Sequence, residues 1–176
     1  MIMACTPAPQ MKPDGKRPYF TSIPSRLYFQ NVRSAYYYRE RQAGTALDIY
    51  TLRKAPRDLR EPHFRAAIID NWMEDEAYLF VRPNAYPAGF GDILSIRIMG
   101  RTETDTLRMP VPDKEAQMAF AGAIYQSLLE GAEIEVLTGK HDWKPILRDA
   151  DERSSFLITV RDYYKLTDLA GESHSN

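Results

Sequence analysis

The sequence predicts an α+β fold that is rich in short, mostly antiparallel strands and has one long amphipathic helix at about residues 113–130. Three observations support this prediction. Short segments alternate between apolar and polar residues, turn-forming residues separate them, and one stretch has helical periodicity. We expect about nine strands, which form a sheet or a sandwich with the helix packed on it.

The length of the chain predicts one domain with two extended ends. A chain of 176 residues suits a single domain. Five prolines within residues 1–25 predict a flexible tether. Residues 26–170 are expected to form a single globular domain, and residues 171–176 are expected to form a frayed tail. No run in the chain approaches the ~18 apolar residues of a membrane-spanning helix.

The first half of the globular domain is predicted to consist of strands. They lie at residues 27–32, 35–41, 45–52, 63–70 and 76–82. The connection Gln42-Ala43-Gly44 suits a bulged hairpin between the second and third strands. Residues 78–81 are apolar on both faces, which predicts a central position in a sheet.

The second half is predicted to contain the helix between further strands. These strands lie at residues 93–99, 106–109, 133–137, 143–147 and 156–160. Asp113 suits the helix N-cap, Glu115 lies in the first turn, and Gly131 ends the helix. Pro145 restricts its segment to a sheet edge or an irregular piece.

The sequence contains no motif that predicts catalysis, a metal site or a cofactor. His63, His141 and His174 lack the spacing of metal ligands. Neither a nucleophile elbow nor a phosphate-binding loop is present. The sequence therefore favours a protein without enzymatic activity, although a site that assembles only in three dimensions would leave no such motif.

Aromatic and arginine residues provide the more distinctive pattern. The chain has 11 tyrosines, three of them consecutive at residues 36–38. Tyrosine suits half-buried positions in a sheet, and tyrosine, tryptophan and arginine are also enriched at interface hot spots. We expect a binding surface that comprises Tyr36, Tyr38, Arg39, Arg41, Trp72, Tyr86 and Phe90.

The N-terminus bears on localisation. The residues Ile2-Met3-Ala4-Cys5, followed by a polar and proline-rich segment, resemble the end of a bacterial lipoprotein signal. The resemblance implies a lipid on Cys5 and a periplasmic, membrane-anchored protein of the cell envelope. A basic segment and an apolar run do not precede Cys5 here, so this interpretation requires a start upstream of Met1. The alternative is a cytoplasmic protein with an incidental thiol.

Charge and composition limit the partners. The net charge of −1 disfavours nucleic acid, so the expected partner is another protein or an envelope component, with the membrane reached through the lipid. One alternative is a cytosolic small-ligand-binding protein or enzyme. A further alternative is an immunity or inhibitor protein that uses the acidic loops Asp70–Glu76 and Asp149–Glu152, the latter predicted to be a solvated turn.

Overall fold

The computed structural model describes residues 19–56, 60–85, 93–109, 113–139 and 141–169. Within these ranges, eight strands form two four-stranded antiparallel sheets, accompanied by two long helices and one short helix. The predicted α+β, β-rich fold with a long helix on the sheets is confirmed.

Sheet A is a meander of four consecutive strands. In the order β1-β2-β3-β4, the strands are β1 (Tyr37–Arg41), β2 (Leu47–Leu52), β3 (Phe64–Asn71) and β4 (Glu76–Pro83). Gly44 has φ of +77° in the hairpin between β1 and β2, a backbone conformation that glycine adopts without strain. The predicted hairpin is therefore confirmed.

Strand β4 lies at an end of sheet A, so the predicted central position of residues 78–81 is wrong. A strand that is apolar on both faces can lie at this edge because other segments cover the edge and bond to its backbone. The amide of Ala77 donates to the carbonyl of Tyr19 (2.8 Å). Further along, the amide of Val81 donates to Oε1 of Gln117 (2.8 Å).

Sheet B has the order β6-β5-β7-β8. Its strands are β5 (Leu94–Met99), β6 (Thr104–Met109), β7 (Glu133–Thr138) and β8 (Asp142–Ile146). Helix α2 (Lys114–Leu129) connects β6 to β7 and confirms the predicted helix. Asp113 caps it by accepting a hydrogen bond from the amide of Ala116 (2.7 Å), and Gly131 follows it with φ of +78°. Pro145 lies in edge strand β8, as predicted.

Helix α3 (Ala150–Leu166) replaces two predicted features, the strand at residues 156–160 and the solvated turn at Asp149–Glu152. Both predictions are wrong for the same reason, namely that Asp149 starts a helix. Its Oδ1 accepts from the amide of Glu152 (2.7 Å), and Glu152 accepts from the amide of Arg148 (2.8 Å). The buried residues of α3 recur at helical spacing: Phe156, Val160, Tyr163 and Leu166.

The predicted strand at residues 27–32 is also wrong, because this segment is helical. Helix α1 (Ile23–Tyr28) continues into a π-helical turn at residues 29–33 and a 3-10 turn at residues 34–36. Ser22 caps α1 by accepting a hydrogen bond from the amide of Ser25 (3.3 Å). Phe29 is the only side chain of these three pieces that is buried, and its ring packs edge-on against Tyr50 at 5.1 Å.

The two sheets and two long helices share one hydrophobic core. Its fully buried members include Ile68, Leu79, Ile96, Val136, Ile124 and Tyr163. Residues 19–25 lie against this body, whereas the rest of the predicted tether and tail lies outside the described residues. None of the helices in the described ranges is long and apolar enough to cross a membrane.

Candidate functional site

The candidate site is the open edge of sheet A at β1. In the part of the chain that the structure describes, β1 pairs with β2 alone. The amide of Gln42 donates to the carbonyl of Leu47 (3.1 Å), and the amide of Arg53 donates to the carbonyl of Tyr36 (2.9 Å). These two bonds determine which residues of β1 are hydrogen-bonded to β2. In an antiparallel pair with these bonds, Tyr38 and Glu40 bond to β2. The backbone N–H and C=O groups of Arg39 and Arg41 and the C=O of Tyr37 therefore point away from the sheet, whereas the N–H of Tyr37 donates to the carbonyl of Ser34.

The side chains of Arg39 and Arg41 are held by one carboxylate. Arg39 Nη2 lies 2.6 Å from Asp48 Oδ2, and Arg41 Nε lies 3.3 Å from Asp48 Oδ1. Burial alone would raise the pKa of Asp48, but the hydrogen bonds from both arginines outweigh it and hold that pKa below its usual value. Two guanidinium groups share this one carboxylate, so these three side chains alone carry a charge of about +1.

A second buried carboxylate lies beside the first. Asp70 of β3 is paired with Asp48 in the register of β2 and β3, and Nη2 of Arg26 lies 3.4 Å from its Oδ1. Burial raises the pKa of Asp70; Arg26 opposes the shift and Asp48 adds to it. The two neighbouring carboxyls thus have pKa values shifted in opposite directions, because two arginines bond to Asp48 and only one approaches Asp70.

The other end of β1 is fixed to α3. Tyr37 Oη donates to Asp162 Oδ2 (2.7 Å), and Arg33 Nη2 donates to the same oxygen (2.8 Å). Burial raises the pKa of Tyr37 far above its usual value, so the phenol stays a donor at physiological pH. Both ends of β1 are therefore held in place while its outer edge is open.

Two exposed tyrosines accompany the edge. Tyr36 is 57% exposed and Tyr38 42% exposed. Each lies under a guanidinium group, with Arg33 at 5.0 Å from the Tyr36 ring and Arg53 at 4.8 Å from the Tyr38 ring. This stacking limits ring motion, which lowers the entropic cost of a contact with a partner.

The structure brings together part of the predicted binding surface. Tyr36, Tyr38, Arg39 and Arg41 lie along β1 and the turn before it, with Tyr38 on the opposite face of the strand from the arginines. Trp72 is 49% exposed in the turn between β3 and β4, two strands and about 10 Å away. Three further predicted residues lie outside the described ranges: Tyr86, Phe90 and Cys5.

Sequence reasoning missed the residues that hold this surface in place. Asp48, Asp70 and Asp162 are buried. The available signal was the alternation of β2, which puts Asp48 on the same face as Tyr50 and Leu52. A charge on an otherwise apolar strand face indicates a buried partner. Asp162 gave no comparable signal, since a strand was predicted at residues 156–160 and no helical face was assigned to the residues around it.

The other polar regions of the protein are weaker candidates for a functional site than the edge of β1. Two open cavities occupy about 360 and 510 Å³, and the larger is lined by His63, Glu61, Arg148 and Glu152. Burial raises the pKa of Glu152, but this side chain accepts from the backbone at the start of α3. Within the described ranges, no three His, Cys, Asp or Glu residues are grouped to hold a metal ion.

Comparisons of this chain with protein-family models, curated proteins and solved structures found no match. The open edge of β1, with its fixed arginines and stacked tyrosines, is therefore the strongest indication of function.

Proposed function

We propose that this chain is a non-enzymatic binding protein that takes up an extended segment of a partner protein along the open edge of β1. One observation carries the proposal: the backbone N–H and C=O groups of Arg39 and Arg41 face outward, and sheet A places no described strand beside them. Such an edge is a template for strand addition, in which main-chain hydrogen bonds supply affinity.

Two of the other three edges, β4 and β8, support the proposal by contrast. Tyr19 and Gln117 cover β4 with hydrogen bonds to its backbone. Edge strand β8 contains Pro145, which has no N–H group to donate. In the described chain, strand β1 has neither a covering segment nor a proline. Its arginines are turned inward to Asp48, which leaves the backbone accessible.

The side chains indicate what kind of segment fits. A partner strand places alternate residues on the two faces of the sheet. One face meets the tyrosine ring of Tyr38, and the other meets the partly exposed guanidinium groups of Arg39 and Arg41. A segment with apolar or aromatic residues on one face and acidic residues on the other is therefore the expected ligand.

A random linear peptide library displayed on phage tests the proposal. We expect wild-type protein to enrich alternating acidic and apolar peptides. Arg41→Pro removes an outward N–H without removing a backbone hydrogen bond to β2, so it should abolish their binding. Arg41→Ala removes the same guanidinium group but keeps the N–H, so it should weaken binding less than Arg41→Pro does, and Arg108→Ala, a change at an exposed arginine of edge strand β6, is its matched control. Enrichment of the same peptides on wild type and Arg41→Pro would contradict strand addition.

The place of action in this proposal is the cell envelope, with a lipid on Cys5. The support is the sequence alone, namely the apolar residues before Cys5 and the polar, proline-rich segment after it. Mass spectrometry of the native protein from the membrane fraction tests it directly. A lipid-modified Cys5 is the expected result, and an unmodified thiol in a cytoplasmic protein would exclude the anchor while leaving the β1 proposal standing.

A further inference from the structure

The helical segment before β1 exposes apolar side chains. Eleven large hydrophobic residues are exposed in the described chain, and five of them lie between residues 20 and 32. These five residues, which we call the N-terminal apolar stripe, are Phe20, Ile23, Leu27, Tyr28 and Val32. Scattered apolar residues are ordinary on a surface, but a concentration of them marks an interaction site.

The geometry of the helix aligns the aliphatic members of the stripe. Ile23 and Leu27 are four residues apart within α1, so they lie on the same face of this helix. Val32 lies in the π-helical turn that follows at residues 29–33 and is 48% exposed. The opposite face packs against the protein through Phe29 and through Arg33, which bonds to Asp162. An ordinary surface helix buries its apolar face, whereas this one directs it outward.

The size of the stripe argues against a second copy of the chain as its occupant. Its side chains are about half exposed, which corresponds to about 100 Å² each and about 500 Å² together. A stable dimer needs about 800 Å² from each subunit. The stripe alone is too small, but shallow insertion into a bilayer requires only a few apolar side chains.

The charge of the preceding chain favours an anionic surface. Between Lys12 and Ile23 the sequence has three basic residues, Lys12, Lys16 and Arg17, against one acidic residue, Asp14. Near the end of α3, Lys165 and Asp168 are both exposed, and Asp168 accepts a hydrogen bond from the hydroxyl of Ser25 in α1 (2.7 Å), so these two charges cancel and the positive charge comes from the preceding chain. Basic residues next to an apolar helix are attracted to the anionic headgroups of a membrane. Tyr28 adds an amphipathic ring of the kind enriched at such interfaces.

We propose that the N-terminal apolar stripe docks on the surface of an anionic lipid bilayer, with Ile23, Leu27 and Val32 inserted among the lipids. The attachment is weak and reversible, no stronger than that of a single myristoyl chain, with an association constant of about 10⁴ M⁻¹. Docking in this way directs α1 to the membrane, and it does not use the edge of β1.

Co-sedimentation of the full chain with vesicles tests the proposal. The probes are vesicles of phosphatidylglycerol and phosphatidylcholine, and vesicles of phosphatidylcholine alone. We expect binding to the anionic vesicles that weakens with added salt. Leu27→Ser should reduce the partition constant about tenfold, since it removes a half-exposed leucine from the inserted set.

A matched variant makes the test specific. Leu129 is 57% exposed at the end of α2 and Leu27 is 51% exposed in α1, so Leu129→Ser alters a similar side chain outside the stripe and should leave binding unchanged. Equal losses in both variants would overturn the proposal, as would absence of wild-type binding to anionic vesicles. A change of oligomeric state in Leu27→Ser, without vesicle binding by the wild type, would identify a second copy as the occupant instead. Arg41→Pro should bind vesicles normally, so this test is separate from that of β1.

Discussion

The paired carboxylates Asp48 and Asp70 provide a test in which two similar substitutions have opposite pH dependence. Asp48→Asn removes the charge that holds Arg39 and Arg41. A buried charge-assisted hydrogen bond contributes about 1.5–3 kcal/mol. The side chains of Arg39 and Arg41 are 49% and 67% exposed, so solvent reduces each contribution to about 1 kcal/mol. The free energy of unfolding should fall by about 2 kcal/mol at pH 7.

The sign of the pH dependence follows from the direction of each shift. The pKa of Asp48 is lowered in the folded protein. Ionised Asp48 therefore contributes fully to the free energy of unfolding above the pKa of the unfolded state, about 3.9, and this contribution is lost as the pH falls through the pKa of the folded state. The defect of Asp48→Asn should therefore shrink below about pH 4.

The pKa of Asp70 is raised, so ionisation of Asp70 costs stability as the pH rises from about 3.9 through the folded pKa. Asp70→Asn should remove this cost and make the variant more stable, relative to wild type, at pH 7 than at pH 4. Arg26 keeps Asp75 as a partner at 2.5 Å.

Urea unfolding of wild type and both variants between pH 3.5 and 7 measures these differences, with the m-value as the check that the folded state is unchanged. A loss of about 2 kcal/mol corresponds to a fall in Tm of about 4–8 °C at this chain length. Equal pH slopes for the two variants, or a defect of Asp48→Asn that persists unchanged below pH 4, would refute the assigned ion pairs.

Three other substitutions, two of them paired with a control substitution, test the fold. Asp149→Ala should lower the free energy of unfolding by about 1 kcal/mol in urea titrations, because it removes the N-cap of α3; no loss would remove the reason given for this helix. Gly131→Ala should cost about 1 kcal/mol at φ of +78°, whereas Gly122→Ala, in the interior of α2, should be neutral or stabilising; equal effects would contradict the assigned backbone. Phe29→Ala should cost about 3 kcal/mol as a buried ring is lost, whereas exposed Val32→Ala should change thermal stability little; a small effect of Phe29→Ala would show that α1 is not held by this ring.

Local patterns in the sequence predicted the strands that alternate and the helix with strong caps. Asp113 and Gly131 are capping signals that do not depend on tertiary structure, so α2 was found with nearly its observed ends. The hairpin at Gly44 was found for a similar reason. Pro145 restricts its own strand to an edge wherever the sheet lies.

The errors occurred where tertiary packing overrides local preference. Ile158, Thr159 and Val160 favour a strand, but they lie in α3 because the helix buries Phe156, Val160 and Tyr163 at helical spacing. Asp149 was assigned to a turn, although Asp149-x-x-Glu152 matches a capping box. In the segment at residues 27–32, Phe29 is the only residue that faces the core. The sequence of this segment therefore lacked the apolar periodicity that would have predicted a helix.

The candidate site was predictable in its exposed part and hidden in its buried part. Tyr36, Tyr38, Arg39 and Arg41 stand close together in the sequence, so their shared surface follows from local structure alone. Asp162 reaches Tyr37 from 125 residues away. A contact at that distance is set by how α3 lies on sheet A, which no local pattern reports.

Amide hydrogen exchange measured by NMR tests strand addition at β1 most directly. In the free protein, the amides of Arg39 and Arg41 should exchange fast, and those of Tyr38 and Glu40 should be protected by β2. Addition of a library-selected peptide should slow exchange at Arg39 and Arg41 selectively. Unchanged exchange at both residues in the peptide complex would contradict strand addition at this edge.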